Sequence, residues 1–172
     1  MKVKTVLMML FVGLMTMGFE CVNDNAFFSV NLQGVTGTFK VNPGNNPNFN
    51  DCKTFLAQDY LDASFGTLGD VRIYDIRVST IGAYGGNVNG RVEVNGVTIL
   101  SYSGPWSNFS TPRSLVTSTL ITRSPAGLAT LINAIRNRQN ITLCGIGSVS
   151  QVPVPDGLYV KVEVFGQVDG TP

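Results

Sequence analysis

Three pairs of carboxylates lie close enough in sequence to be weighed as an acid and its partner: Asp59 with Asp62, Asp70 with Asp75, and Asp156 with Glu163. Two carboxyls held across a glycosidic bond can hydrolyse it, one protonating the leaving oxygen while the other attacks or activates water. None of the three pairs stands in a recognisable glycosidase context, and all read as turn or solvent-face residues. The chain has no histidine, which removes the Ser–His and Cys–His nucleophile systems and the usual zinc ligand sets. Glycines number 19, but no phosphate-binding loop with its lysine occurs. Asn42–Asp51, NPGNNPNFND, and Asn23-Asp24-Asn25 offer oxygen ligands. Each segment has a single carboxylate and lacks EF-hand spacing, so calcium is poorly supported; the asparagines suit Asx turns instead. The expectation is a protein that is not an enzyme and holds no cofactor or metal.

The segment after Tyr102, SGPWSNFSTPR, contains the only tryptophan. Tyr102, Trp106 and Phe109 form an aromatic cluster in a loop flanked by prolines. Exposed rings of this kind stack on a sugar or form a protein-contact patch, so these three are the candidate ligand-binding residues. The competing arrangement folds Trp106 and Phe109 back over one end of the domain, and the burial habit of large aromatics favours it.

The cysteines are Cys21, Cys52 and Cys144. There is no CxxC motif, which argues against thioredoxin-like chemistry and structural zinc. An exported chain favours disulfides, and Cys52–Cys144 is the expected pair because both lie within the body of the domain. Three reduced, buried thiols are the alternative.

Export itself is expected from residues 1–18. Lys2 and Lys4 precede the apolar run VLMMLFVGLMTM, which is too short to span a bilayer. Thr16 and Gly18 are small residues suited to cleavage before Phe19. Leu14–Cys21 resembles the lipidation site of a bacterial lipoprotein, which would make Cys21 the acylated residue. It departs from that pattern at Glu20 and Phe19, where a small residue should precede the cysteine. The alternatives are a signal peptide cleaved near Gly18 and one cleaved before Cys21.

The remaining residues, 19–172, read as one domain, long enough for a substantial core. Val88–Tyr102, VNGRVEVNGVTILSY, is a β-hairpin: Val88, Gly90, Val92 and Val94 share a face, and Asn95-Gly96 supplies a type I′ turn. Val71–Ser79 changes parity near Tyr74-Asp75, which predicts a β-bulge. Leu158–Val168 alternates cleanly and is predicted to be a central strand. Ala26–Val41 reads as a strand pair broken near Gly34, Asn42–Asp51 as a loop, Gly82–Gly86 as a flexible connector, and Ser114–Ile121 and Ile141–Ser150 as strands. Ser124-Pro125 opens a helix with an apolar stripe of Leu128, Leu131, Ile132 and Ile135. The fold class expected is all-β: an antiparallel β-sandwich, immunoglobulin-like or jelly-roll-like, with one short α-helix near 125–137.

The formal net charge is +1, without a run of Lys or Arg, so no nucleic-acid partner is expected. Asn108-Phe-Ser and Asn140-Ile-Thr match the glycosylation sequon, which matters only in a eukaryotic secretory pathway. The reading is a non-catalytic exported protein of the cell envelope, surface or medium. Its partner would be a protein or glycan, with homo-oligomers among the options and the membrane reached only through an anchor at Cys21. The alternative function is a carbohydrate- or small-ligand-binding module using the aromatic cluster.

Overall fold

A computed structural model describes residues 28–32, 35–61 and 66–171. The signal segment 1–18, Cys21, residues 23–25 and Asp62 lie outside the described residues, as does the side chain of Asp59. Two antiparallel sheets pack face to face, as expected of an all-β sandwich. Sheet A contains β1 (Phe28–Leu32), β2 (Thr36–Lys40), β4 (Thr67–Ile81), β7 (Arg113–Ser114) and β10 (Tyr159–Thr171). Sheet B runs in the order β3 (Asn48–Phe55), β9 (Ile141–Val149), β5 (Asn87–Val94), β6 (Val97–Pro105) and β8 (Ile121–Arg123).

The strand with the clearest alternation is the spine of sheet A. β10 pairs with β4 along one side and with both β2 and β1 along the other. Its inward valines, Val160, Val162, Val164 and Val168, are buried. The bulge predicted in β4 is present: Phe165 pairs with Asp75 and Gly166 with Ile73, which leaves Tyr74 as the extra residue. β1 and β2 do not form a hairpin with each other, because β10 is long enough to pair with each of them in turn.

The hairpin at the centre of sheet B follows the predicted pattern. Asn95 and Gly96 both have positive φ, 49° and 82°, and Val88, Val92 and Val94 are fully buried. β5 and β9 then supply the interior of the sheet. Two expectations are corrected here. Asn42–Asp51 is not all loop, since β3 begins at Asn48 and pairs with β9 from Ser148 onward. Ser114–Ile121 is not a strand but mostly turns between β7 and β8. Its hydroxyls capture the backbone: Ser114 Oγ accepts from Val116 N–H and Ser118 Oγ from Leu120 N–H. Such local bonds compete with ladder formation.

A short helix α1 (Ala57–Tyr60) follows β3, and α2 (Pro125–Arg136) fits between β8 and β9. Ser124 caps α2 by accepting from Gly127 N–H, and Leu131, Ala134 and Ile135 are buried. α2 packs chiefly on β6 and β4, so it closes one end of the sandwich. Gly127 makes that contact possible, because a Cβ there would fall 2.0 Å from the carbonyl oxygen of Thr98. No helix among the described residues is long and apolar enough to cross a membrane.

Candidate functional site

The aromatic cluster is in the core. Tyr102 and Trp106 are 2% exposed and Phe109 is 0% exposed, so none of the three offers a ring face to a ligand. This corrects the assignment of Tyr102, Trp106 and Phe109 as ligand-binding residues. Trp106 opens a 3₁₀ turn, Trp106–Phe109, after Pro105. Its indole N–H donates to Gly82 O at 2.8 Å and its backbone N–H to Gly86 O at 3.0 Å. Tyr84 meets the indole edge-on at 5.7 Å, and Tyr84 also accepts from Gln151 N–H. The 82–86 connector is therefore bonded at both ends. Tyr102 and Phe109 make a second edge-to-face pair, 5.8 Å apart.

The rings of Phe49 and Tyr102 explain much of the glycine in sheet B. Across β3, β9, β5 and β6 the inner face reads Phe49, Gly147, Gly90, Tyr102, each residue pairing with the next. A Cβ on Gly147 would sit 2.7 Å from the Phe49 ring, and one on Gly90 would sit 2.5 Å from the Tyr102 hydroxyl. The two aromatics lean inward over two central glycines and fill the space that side chains would occupy. Buried in this way, the Tyr102 hydroxyl has no hydrogen-bond partner among the described residues. Burial also raises its pKa well above the ordinary tyrosine value.

The other side of the same strands carries a cleft of about 700 Å³, within the size range of small-molecule sites. Strand alternation fixes its lining, since residues at i and i+2 share a face. One cross-strand row is Asn48–Ser148–Asn89–Ser103, and the next is Asn50–Ile146–Arg91–Ser101–Thr122. Amides and hydroxyls thus alternate along the first row, while the second also carries Ile146 and Arg91. A shallower depression of about 220 Å³ adjoins the cleft, shares Asn89 and Ser101 with it, and continues to Thr119 and Thr122.

Asn42 and Asn46 line the other end of the cleft. Their segment is tied down: Gly44 and Val154 exchange backbone hydrogen bonds of 2.9 and 2.7 Å, and Asn46 Oδ1 accepts from Asn48 N–H. The asparagines close local turns here, as expected. The one charged group in the lining is Arg91, whose Nε donates to Glu93 at 2.7 Å. That pair leaves the cleft locally neutral.

The next row after Arg91 holds the disulfide. Cys52 and Cys144 face each other across β3 and β9 and are bonded, which is the expected pairing. The bridge joins edge strand β3, which supplies Asn48 and Asn50, to the interior of the sheet.

Among the described residues the carboxylates do not assemble into an acid–base pair. Each one whose side chain is described lies in an ion pair: Asp70 with Arg72, Asp75 with Arg77, Asp156 with Lys40 and Glu163 with Lys161, and Asp51 with Lys53, Glu93 with Arg91 and Asp169 with Arg72. The Arg72 guanidinium beside Asp70 lowers the pKa of that carboxyl, the opposite of what a general acid needs. Among the described residues no cluster of His, Cys, Asp or Glu could hold a metal ion.

Sequence reading passed over the cleft because Asn48 and Asn50 lie in a stretch that composition marks as loop. The available signal was the alternation of Asn89, Arg91 and Glu93 with buried residues in β5, and of Ser101 and Ser103 in β6.

No family model and no curated protein matches the chain. Among solved structures, dimeric latent PorU from Porphyromonas gingivalis is similar at 14% identity with a TM-score of 0.36. The match covers 83% of this chain but 13% of that chain. A likeness this distant assigns no function.

Proposed function

We propose that this chain is a non-catalytic interaction domain that acts outside the reducing cytoplasm, at the cell envelope or surface. Its contact surface is the outer face of sheet B. The observation that carries the reading is the neutral cleft across β3, β9, β5 and β6, lined by amide and hydroxyl side chains on a rigid sheet and an anchored segment. Sites on rigid elements bind without the cost of ordering a loop. The Cys52–Cys144 bridge suits a non-reducing compartment. Lack of histidine and the cation held by each described carboxylate support a non-catalytic role.

The test is co-sedimentation of the full chain with envelopes of the cells that produce it. Ser101 is exposed on the outer face of sheet B, and Gln167 occupies the equivalent outward position on sheet A. Ser101→Trp is expected to abolish sedimentation while Gln167→Trp leaves it intact. Loss with Gln167→Trp and retention with Ser101→Trp would overturn the assignment of the face.

A further inference from the structure

We infer that the sheet B cleft binds a neutral, hydroxyl-rich glycan chain lying across the strands. This rests on the proposed contact surface and names the class of ligand it takes.

The chemistry of the lining discriminates among ligands. Asn48, Asn50 and Asn89 each present an N–H donor and a carbonyl acceptor, and Ser101 and Ser148 each present a hydroxyl that does both. Equal numbers of donors and acceptors match sugar hydroxyls, which are also both. An anionic ligand would need uncompensated positive charge, and the one cation, Arg91, is held by Glu93. A protein partner would need large apolar or aromatic anchors at the centre. Here the one aliphatic side chain in the two rows is Ile146; Phe49 borders the cleft but is 2% exposed, and Tyr102 is buried on the inner face.

An extended peptide is disfavoured for a separate reason. Peptides that add to sheets use free backbone groups at an edge. β9, β5 and β6 each have a strand on both sides, so over these three strands only side chains are available, and the free edge of the cleft is confined to β3.

Geometry gives the direction and length. The rows run from β3 to β6 across four strands, a span of about 14 Å at ordinary strand spacing. The adjoining depression extends the path to Thr122 on β8. An oligosaccharide in this path would meet alternating amides and hydroxyls along the Asn48–Ser148–Asn89–Ser103 row. Without an exposed aromatic platform, recognition would rest on hydrogen bonds, so loss of a central amide should be felt strongly. Asn89 is that amide, since it is common to the cleft and the depression.

The experiment compares untreated envelopes with envelopes exhaustively digested by protease, and adds the protein-free polysaccharide released from them as a competitor. The full chain is expected to sediment equally with both preparations and to be displaced by the polysaccharide. Asn89→Ala should weaken retention at least tenfold, with an unchanged melting temperature. Binding lost on protease digestion and insensitive to the polysaccharide would overturn the glycan while keeping the sheet B contact surface. Binding unaffected by both Asn89→Ala and Ser101→Trp would overturn both.

Discussion

The two outer faces of this sandwich are built on the same strand alternation, yet they differ in chemistry. On sheet A, charged side chains pair with a neighbour two residues along the same strand: Arg77 with Asp75 and Lys161 with Glu163. Arg77 also lies 4.4 Å above the ring of Phe165, a cation–π contact. Sheet B also has two such pairs, Arg91 with Glu93 and Lys53 with Asp51, but beyond Arg91 and Glu93 its outward positions are mostly asparagine, serine and threonine, and a covalent bridge joins two of the strands. Self-paired charges keep a surface soluble and leave little capacity for a ligand. Neutral amides and hydroxyls that are not held in ion pairs retain that capacity. The contrast supports the proposed contact surface on sheet B, with sheet A as the more highly charged, ion-paired face.

The largest test of this contrast is removal of the bridge. The Cys52–Cys144 loop spans a sequence separation of 92, and opening it with Cys52→Ser and Cys144→Ser together should cost about 4 kcal/mol in the chain-entropy view. Chemical denaturation measures this, and a loss below about 1 kcal/mol would show that the bridge adds little to that side of the molecule. Next is Gly147→Val, which forces a side chain against Phe49 and the Asn89 carbonyl. Overpacking there should cost about 3 kcal/mol, whereas a neutral result would mean that the rings do not fill the inner side of the cleft. Tyr102→Phe removes a buried hydroxyl that has no partner. Stability should stay unchanged or rise by up to about 1 kcal/mol, and a clear loss would reveal a hydrogen bond to that oxygen.

The smallest effect belongs to sheet A. Arg72 lowers the pKa of Asp70, so the stabilisation from this carboxylate is present above the ordinary carboxylate pKa. It is lost as pH falls through the lowered value. Both groups are exposed, so salt should screen the effect. Carboxyl-carbon NMR should show Asp70 titrating below the usual range, and Arg72→Ala should move it back up.

The parts legible in the sequence were those set by local rules. The Asn95-Gly96 turn, the Ser124 cap, the extra residue at Tyr74 and the valine alternation of β10 each depend on neighbours in the chain. The Cys52–Cys144 pairing followed from there being two cysteines inside the domain. What was not legible depends on register between distant strands. Asn48, Ser148, Asn89 and Ser103 form one row only because four strands align them. The sequence favoured a folded-back Trp106 but could not place it, because its partners, Gly82, Gly86 and Tyr84, lie about two dozen residues earlier and meet it only through the fold. Nothing in the sequence announces the role of Gly90 and Gly147, which in the fold are the complement of Tyr102 and Phe49.

The most direct test of the contact surface is backbone amide shift mapping of the isotope-labelled full chain as protein-free envelope polysaccharide is added. The account predicts that shifts concentrate at Asn48, Asn50, Asn89, Ser101 and Ser148, with Lys161, Glu163 and Gln167 unmoved. Shifts centred on the outer face of sheet A, around Arg77 and Phe165, would contradict it.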